Sequence, residues 1–220
     1  MMKPKFVTFT GVDDKTDWDK LEDLSAWYPI EWGVLVGGRL GSNRYPTDIE
    51  RLDMKDREIV GAGCSFSLHM CGEYAQAALF PDASEKTELI RQLAKAKIFG
   101  RIQINAGKYD IPNLIRFQEF VGKPVIMQAR GKEFPEPLTG IQCLHDLSGG
   151  KGRVPKFRPV QPPETVLVGY AGGIGPDNVV QVLSEINAHN FWIDMESKIR
   201  DTDDWLDLNK CEAVCKQIWD

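Results

Sequence analysis

Short apolar runs alternate with longer stretches whose apolar residues recur at helical spacing along most of this chain. The stretch from Thr16 to Trp27 is an example, because its apolar residues are three positions apart and lie on one face of a helix. Alternation of this kind is typical of strand–helix units that build a parallel sheet. The pattern therefore predicts an α/β fold.

The apolar runs predict eight strands: Lys5–Thr10, Trp32–Gly37, Ser65–Met70, Gly100–Asn105, Pro124–Gln128, Ile141–Asp146, Thr165–Ala171 and Phe191–Met195. The amphipathic stretches predict six helices: Thr16 to Trp27, Pro46 to Met54, Glu73–Leu79 with Glu85–Ala96 as a third helix, Ile111–Val121, Pro176–Asn187 and Trp205–Trp219. Proline and glycine are frequent in 130–140 and 147–165, so helices 5 and 6 are expected to be shortened or missing.

Two architectures share this alternation: a closed (β/α)8 TIM barrel and an open doubly wound sheet. Eight strands in 220 residues favour closure. The phosphate-type loops also follow strands 7 and 8, whereas a dinucleotide-binding sheet has such a loop after strand 1. We therefore expect one TIM-barrel domain over residues 1–220.

Charge and composition exclude several classes of function. The net charge of −5 argues against a sequence-independent nucleic-acid binder, which needs a basic face. The apolar runs fall far short of the ~20 residues that span a membrane, and no secretory signal is visible. The five cysteines form no Cys-x-x-Cys pair, which favours reduced thiols. These features predict a cytoplasmic protein with neither nucleic-acid nor membrane partners.

The last third of the chain predicts a phosphate site. Glycines that follow a late barrel strand let the backbone approach a ligand, and their N–H groups favour an anion. The run Ala171-Gly-Gly-Ile-Gly-Pro-Asp-Asn178 has this form, and Ser148–Gly152 is a second glycine-rich loop, expected to cover the substrate. The candidate phosphate-binding residues are Gly172, Gly173, Gly150, Ser197 and Lys198.

Polar residues at the carboxyl ends of other strands are candidates for chemistry and substrate binding, because a barrel's active site lies at those ends. Asp146 after strand 6 is a candidate general acid, and His69 near the end of strand 3 can exchange a proton near neutral pH. Arg44 is a candidate clamp for a carboxylate or phosphate. The remaining candidates for substrate binding are Asn105, Gln128, Asp13 and Asp194.

The chain resembles the phosphoribosylanthranilate isomerase family of barrels over nearly its whole length. The resemblance rests on Phe9-Thr-Gly-Val12, Gly33-Val34 with Asn43-Arg-Tyr45, Ile102-Gln-Ile-Asn105, His145-Asp146 with Gly149-Gly-Lys-Gly152, Gly172-Gly-Ile-Gly-Pro-Asp-Asn178 and Ile193-Asp-Met-Glu-Ser197. It implies that Asp146 is the general acid and that Arg44 binds substrate. It also implies that Gly172, Gly173 and the region of Glu196 to Lys198 hold phosphate.

One position departs from the family. The family's general base is a cysteine before a glycine at the end of strand 1, where this chain has Thr10 before Gly11. A threonine hydroxyl stays protonated at neutral pH and cannot replace a thiolate as base. His69 or Asp13 is the candidate replacement, so the chain is expected to be a divergent relative of the family.

The sequence thus predicts an isomerase that acts on a phosphosugar or an N-(phospho)ribosyl compound by acid–base chemistry. Two alternatives remain open: a lyase or aldolase acting on a phosphorylated substrate, and a non-catalytic barrel that binds a phosphometabolite or nucleotide. A Schiff-base aldolase is disfavoured, because strands 2–8 offer no inward lysine. No metal and no cofactor are expected, the partner is a small phosphorylated metabolite, and the protein is a monomer or homodimer.

Overall fold

Eight parallel strands form a closed barrel, in which β1 pairs with both β2 and β8. The computed structural model describes residues 2–37, 42–46, 63–82, 84–138, 140–147, 152–155, 157–163 and 166–220. The strands are β1 Val7–Thr10, β2 Ile30–Val36, β3 Ser65–Met70, β4 Phe99–Ile104, β5 Val125–Ala129, β6 Ile141–His145, β7 Val168–Tyr170 and β8 Phe191–Met195. The predicted barrel is confirmed, and the open sheet is excluded.

Six helices pack around the barrel within the described residues: α1 Trp18–Trp27, α2 Gly72–Leu79, α3 Glu85–Lys95, α4 Ile111–Val121, α5 Val179–Glu185 and α6 Leu208–Trp219. The described parts of the β5–β6 and β6–β7 connections contain no helix, as predicted from their prolines and glycines. The predicted helix from Pro46 to Met54 lies outside the described residues except for Pro46. None of the helices seen in these ranges is long and apolar enough to cross a membrane.

Three predicted helices need correction, each for a local reason. The predicted third helix is two helices, because the Ser84 side chain accepts a hydrogen bond from Thr87 N–H and starts α3 separately from α2. Helix α6 begins at Leu208 and not at Trp205, because the Asp207 carboxylate caps its first turn. Helix α5 begins only at Val179. The side chain of the preceding Asn178 does not cap the helix but is hydrogen-bonded to the backbone of Gly173 and Gly175.

Strand β7 is shorter than the predicted Thr165–Ala171. The N–H of Val166 donates to the carbonyl of Pro163 at 2.8 Å, which makes a turn just before the strand. The second residue of this short strand is Gly169, and a Cβ there would lie 2.4 Å from the Trp192 ring. The glycine therefore leaves room for this large aromatic side chain inside the barrel.

A buried ion pair lies inside the barrel below its mouth. The Arg101 guanidinium donates to both carboxylate oxygens of Glu31, at 2.6 and 2.7 Å, and to Gln142 Oε1 at 2.6 Å. It also stacks 4.4 Å from the centroid of the Trp192 ring. Burial alone would raise the pKa of Glu31, but the attraction and hydrogen bonds of Arg101 outweigh it and lower that pKa. The pair is thus charged and fully hydrogen-bonded.

Replacing one member of this pair is predicted to destabilise the protein strongly. Arg101→Met leaves the Glu31 carboxylate buried without its cation, so the free energy of unfolding should fall by about 3–5 kcal/mol. The double variant Glu31→Leu/Arg101→Met should lose much less, because neither charge remains. Urea denaturation followed by circular dichroism measures both.

The matched control is Lys216→Met, which breaks the exposed pair with Glu212. Its effect on the free energy of unfolding should be small, because solvent screens an exposed pair. An Arg101→Met variant no less stable than this control would contradict the importance of the buried pair.

Candidate active site

A pocket of about 550 Å³ opens at the carboxyl ends of the strands. Its size suits a small metabolite, because ligand pockets usually measure ~300–1,000 Å³. We call it the mouth pocket. Its lining residues are Thr10, Leu35, Ser42, Arg44, Tyr45, His69, Cys71, Gln103, Asn105, Gln128, Arg130, Leu144, Asp146, Gly152, Ala171, Gly172, Gly173, Ile174, Asp194, Met195, Glu196, Ser197 and Lys198.

Most residues predicted for the site lie in this pocket: Arg44, His69, Asn105, Gln128, Asp146, Gly172, Gly173, Asp194, Ser197 and Lys198. Asp13 does not line it. Gly150 falls outside the described residues. The barrel thus brings together side chains that are widely separated in the sequence.

The loop after β7, residues 171–175, has the backbone that the glycines predicted. Gly172 and Gly173 have φ values of +100° and +64°, which a residue with a side chain rarely adopts. A Cβ on Gly173 would also lie 2.7 Å from the backbone nitrogen of Val154. The Asn178 side chain fixes the loop, since it donates to the carbonyl of Gly173 and accepts from the N–H of Gly175, each at 2.9 Å.

The loop after β8 carries both a cation and an anion into the pocket. Lys198 packs against the glycine loop, since a Cβ added to Gly175 would lie only 2.5 Å from the Cβ of Lys198. Glu196 would oppose a bound phosphate, but its carboxylate accepts a hydrogen bond from Arg44 Nη1 at 2.6 Å. The same Nη1 lies 3.2 Å from Ser197 Oγ. Arg44 therefore neutralises the acid beside the proposed anion site.

Arg44 also ties the loop after β2 to the loop after β8. Its Nε donates to both carboxylate oxygens of Asp204, at 2.8 and 3.0 Å. The neighbouring Asn43 side chain donates to the carbonyl of Asp203 at 2.9 Å. Hydrogen bonding to Asp204, together with Glu196, raises the pKa of Arg44. The predicted clamp is thus held at the pocket by two carboxylates.

A chain of hydrogen bonds links β1, β3 and β8 at the bottom of the pocket. Thr10 Oγ1 donates to Asp194 Oδ1 at 2.8 Å and lies 3.5 Å from His69 Nδ1. His69 Nε2 lies 3.0 Å from Ser67 Oγ. Gly33 makes room for the group, because a Cβ there would be 2.6 Å from Thr10 Oγ1. Both ring nitrogens of His69 are therefore engaged by hydroxyl groups.

Burial shifts the pKa values of the two titratable members of this chain in opposite directions. It lowers the pKa of His69 to about 4, so the imidazole is neutral at physiological pH. It raises the pKa of Asp194 well above its usual value. The hydrogen bond from Thr10 opposes that rise, whereas the charges of Glu196, Glu31 and Asp146 add to it. The structure thus favours Asp194 over the predicted His69 as the group that accepts a proton.

Asp146 follows β6 and lies between the loops after β5 and β7. It is 4% exposed, and its N–H donates to the carbonyl of Ala129 at 3.1 Å. A Cβ on Gly172 would lie 3.5 Å from its Oδ1. Asp146 lines the mouth pocket, as expected for a group that contacts a ligand.

Asp13 has a different environment from the one predicted. Its Oδ2 accepts from Arg200 Nη1 at 2.9 Å and from the N–H of Leu206 at 2.6 Å, and both charged side chains are buried. A Cβ on Gly11 would lie 1.5 Å from the Arg200 guanidinium, so that glycine makes the contact possible. The interpretation of Asp13 as a substrate ligand or replacement base is replaced by a role in fixing the loop after β8.

The pocket also contains polar residues that were not predicted as functional, among them Tyr45, Cys71, Gln103 and Arg130. Gln103 and Cys71 lie in or next to apolar strands, where a single polar residue reads as part of the core. Arg130 donates to Gln128 Oε1 at 3.2 Å. For Cys71, Gln103 and Arg130 the available signal was position alone, since each lies at or near a strand's carboxyl end.

No group of three His, Cys, Asp or Glu side chains within the described ranges is arranged to hold a metal ion. All five cysteines are free thiols. The polar side chains that line the pocket are carboxyl, hydroxyl, amide, guanidinium, ammonium and imidazole groups, together with the Cys71 thiol, whose pKa is raised by burial.

These observations define the class of structure: a closed parallel barrel whose mouth is polar and carries cationic side chains. Neither a protein-family model nor a curated protein sequence matches this chain. Among solved structures, the phosphoribosyl anthranilate isomerase of Thermotoga maritima is 14% identical, with a TM-score of 0.60 over 99% of this chain and 98% of that one.

Two further solved structures have the same fold. The N-(5'-phosphoribosyl)anthranilate isomerase of Pyrococcus furiosus is 17% identical, with a TM-score of 0.55 over 99% of this chain and 98% of that one. The phospho-2-dehydro-3-deoxyheptonate aldolase of Thermotoga maritima is 11% identical, with a TM-score of 0.58 over 98% of this chain and 68% of that one. The resemblance found in the sequence is thus confirmed as a likeness of fold.

The buried neutral His69 predicts a specific dependence of stability on pH. The unfolded chain binds a proton at His69 below its usual pKa of 6.5, whereas the folded protein binds it only below about 4. The stability that depends on neutral His69 is therefore present above pH 6.5 and is lost as pH falls to about 4. The loss is on the order of 3 kcal/mol.

His69→Asn should remove this part of the acid sensitivity, because an amide does not titrate and can take the place of Nδ1 beside the Thr10 hydroxyl. Urea unfolding as a function of pH measures the difference between the variant and the wild-type protein. His189→Asn is the matched control, since it replaces an exposed histidine. Parallel stability curves for the wild type and His69→Asn would refute this assignment.

Proposed function

We propose that this protein is an isomerase that acts on the phosphate ester of an N-glycosyl sugar through acid–base chemistry. The observation that carries the proposal is the presence of two buried carboxyl groups, Asp146 and Asp194, in one pocket with the glycine loop and its neighbouring cations. Rearrangement of the Amadori type is the reaction that this set fits best. The structural likeness to two phosphoribosylanthranilate isomerases supports it at the level of the fold.

The phosphate group would bind between the loops after β7 and β8. Gly172 and Gly173 line the pocket, and Lys198, which packs against the same loop, adds a positive charge. Arg44 offsets the charge of Glu196, which otherwise would repel the ligand. Backbone N–H groups with one or two cations are a common way to hold phosphate.

Asp146 and Asp194 would each carry out one of the two proton transfers. Opening the sugar ring requires a proton on the ring oxygen as its bond to C1 breaks, and Asp146 is the proposed donor. The resulting iminium then loses a proton from C2, and Asp194 is the proposed acceptor. A raised pKa makes the Asp194 carboxylate a stronger base than an ordinary carboxylate.

Asp194 is also in the right place to replace the cysteine of the resembling family. Thr10, which occupies the cysteine's position, donates its hydrogen bond to Asp194. The base would thus have moved from β1 to the neighbouring strand β8, at the same corner of the pocket. His69 would hold Thr10 in position, and Asp13 would take no part in the reaction.

Asp146→Asn and Asp194→Asn are predicted to lower kcat by about 10²–10⁴-fold with a much smaller change in KM, because each variant loses one proton transfer. The substrate is the phosphate ester that co-purifies with the native protein, identified by mass spectrometry, with N-(5'-phosphoribosyl)anthranilate as the first probe. Product formation is followed by chromatography.

Asp23→Asn serves as the control, since it removes an exposed aspartate from α1 and should leave turnover unchanged. Wild-type rates in both pocket variants would eliminate the proposed acid–base pair. A tightly bound ester without turnover would instead identify a barrel that binds a phosphometabolite without transforming it.

Asp194→Asn is also predicted to stabilise the protein near neutral pH. Between the usual pKa of 3.8 and the raised pKa, the folded protein holds a proton that the unfolded chain has lost. Stability therefore falls as pH rises through this window, and an uncharged amide removes the loss. The gain in Tm should be present at about pH 7.5 and absent at about pH 4.

Calorimetry of both proteins at the two pH values measures this gain. The variant keeps a carbonyl oxygen that can accept the Thr10 hydrogen bond, so the comparison isolates the charge. A variant whose Tm is lower than that of the wild type at about pH 7.5 would show that the Asp194 charge is satisfied in the folded protein.

A further inference from the structure

Gln103 on β4 carries a buried hydrogen-bond acceptor that is left without a partner. Its side chain is 3% exposed and lines the mouth pocket. Its Nε2 donates to Asn105 Oδ1 at 2.9 Å, but its Oε1 accepts no hydrogen bond from any described residue. A buried polar atom that has lost water without gaining a partner is unfavourable and is rare in folded proteins.

The surrounding groups fix which end of the Gln103 amide remains open. Asn105 Nδ2 donates to Cys71 Sγ at 3.2 Å, which leaves Asn105 Oδ1 as the atom facing Gln103. Turning the Gln103 amide around would place two carbonyl oxygens against each other. His69, which pairs with Gln103 across β3 and β4, has its ring nitrogens next to Thr10 and Ser67. The open atom is therefore an acceptor.

The position of Gln103 relates it to the proposed phosphate site. In the closed order of eight strands, β4 lies opposite β8. The glycine loop and Lys198 follow β7 and β8, so Gln103 faces the pocket from its far wall. A ligand anchored by phosphate at one side would reach Gln103 with its other end.

We propose that Gln103 determines specificity by accepting a hydrogen bond from an N–H or O–H group of the ligand at the end remote from its phosphate. This inference rests on the proposed phosphate site and narrows the substrate class. The ligand is a phosphate ester with an uncharged donor at its far end, such as a sugar hydroxyl or the N–H of an N-glycosyl group. A site that hydrogen-bonds such a donor discriminates strongly against analogues lacking it.

The test compares two probes, inorganic phosphate and ribose 5-phosphate, by isothermal titration calorimetry. The wild-type protein should bind ribose 5-phosphate more tightly than phosphate. Gln103→Leu should weaken binding of ribose 5-phosphate by about 10-fold, the effect of one lost hydrogen bond, and change phosphate binding by less than about 2-fold.

Gln142→Leu is the matched control, because it makes the same substitution inside the barrel where Oε1 already accepts from Arg101. It should bind both probes like the wild-type protein and have the lower Tm of the two variants, since it leaves a buried guanidinium N–H unpaired. Gln103→Leu removes an acceptor that is unpaired without ligand, so its Tm should change less.

Each other outcome is decisive. Phosphate binding without any gain from the ribose, or equal affinities for ribose 5-phosphate in Gln103→Leu and the wild type, would overturn the role of Gln103 and leave the phosphate site standing. A wild-type protein that binds neither probe would overturn the proposed phosphate site, and this inference with it.

Discussion

Polar side chains inside a closed barrel are removed from water, so each must find a partner within the protein or in a ligand. That constraint organises this structure from the bottom of the barrel to its mouth. Arg101 satisfies both oxygens of Glu31, and Gln142 accepts from the same guanidinium. At the carboxyl end of β1, the Thr10 hydroxyl donates a hydrogen bond to Asp194. The Arg101–Glu31 pair is thus satisfied within the protein, while Gln103 nearer the mouth retains an open acceptor.

The loops over the mouth obey the same constraint through ion pairs. Arg200 is buried against Asp13, and Arg44 lies between Glu196 and Asp204. These contacts join the loops after β1 and β2 to the loop after β8. The two pairs differ in exposure, because the Arg200 side chain is 2% exposed and that of Arg44 is 25% exposed. Of the two arginines, Arg44 is therefore the one that solvent or a ligand can reach.

The sequence predicted the architecture well, because strand and helix periods are local signals. Ser65–Met70, Ile111–Val121 and Phe191–Met195 were predicted to the residue. The late start of α5 was missed, because it depends on an asparagine that bonds a glycine loop rather than on any periodicity. The side-chain partners could not be predicted from the sequence. Asp13 and Arg200, for example, are 187 positions apart, and only closure of the barrel brings them together.

The same reasoning distinguishes His69 from Asp194 as candidate bases. A histidine near the end of a strand suggests proton transfer, but a neutral imidazole with a hydroxyl at each nitrogen has little capacity to accept another proton. A carboxyl group in the same buried place is disfavoured as an anion, and protonation relieves that cost. Burial therefore makes His69 a weaker base and Asp194 a stronger one. The Thr10 hydroxyl donates its hydrogen bond to that carboxyl group and so fixes the orientation of Asp194.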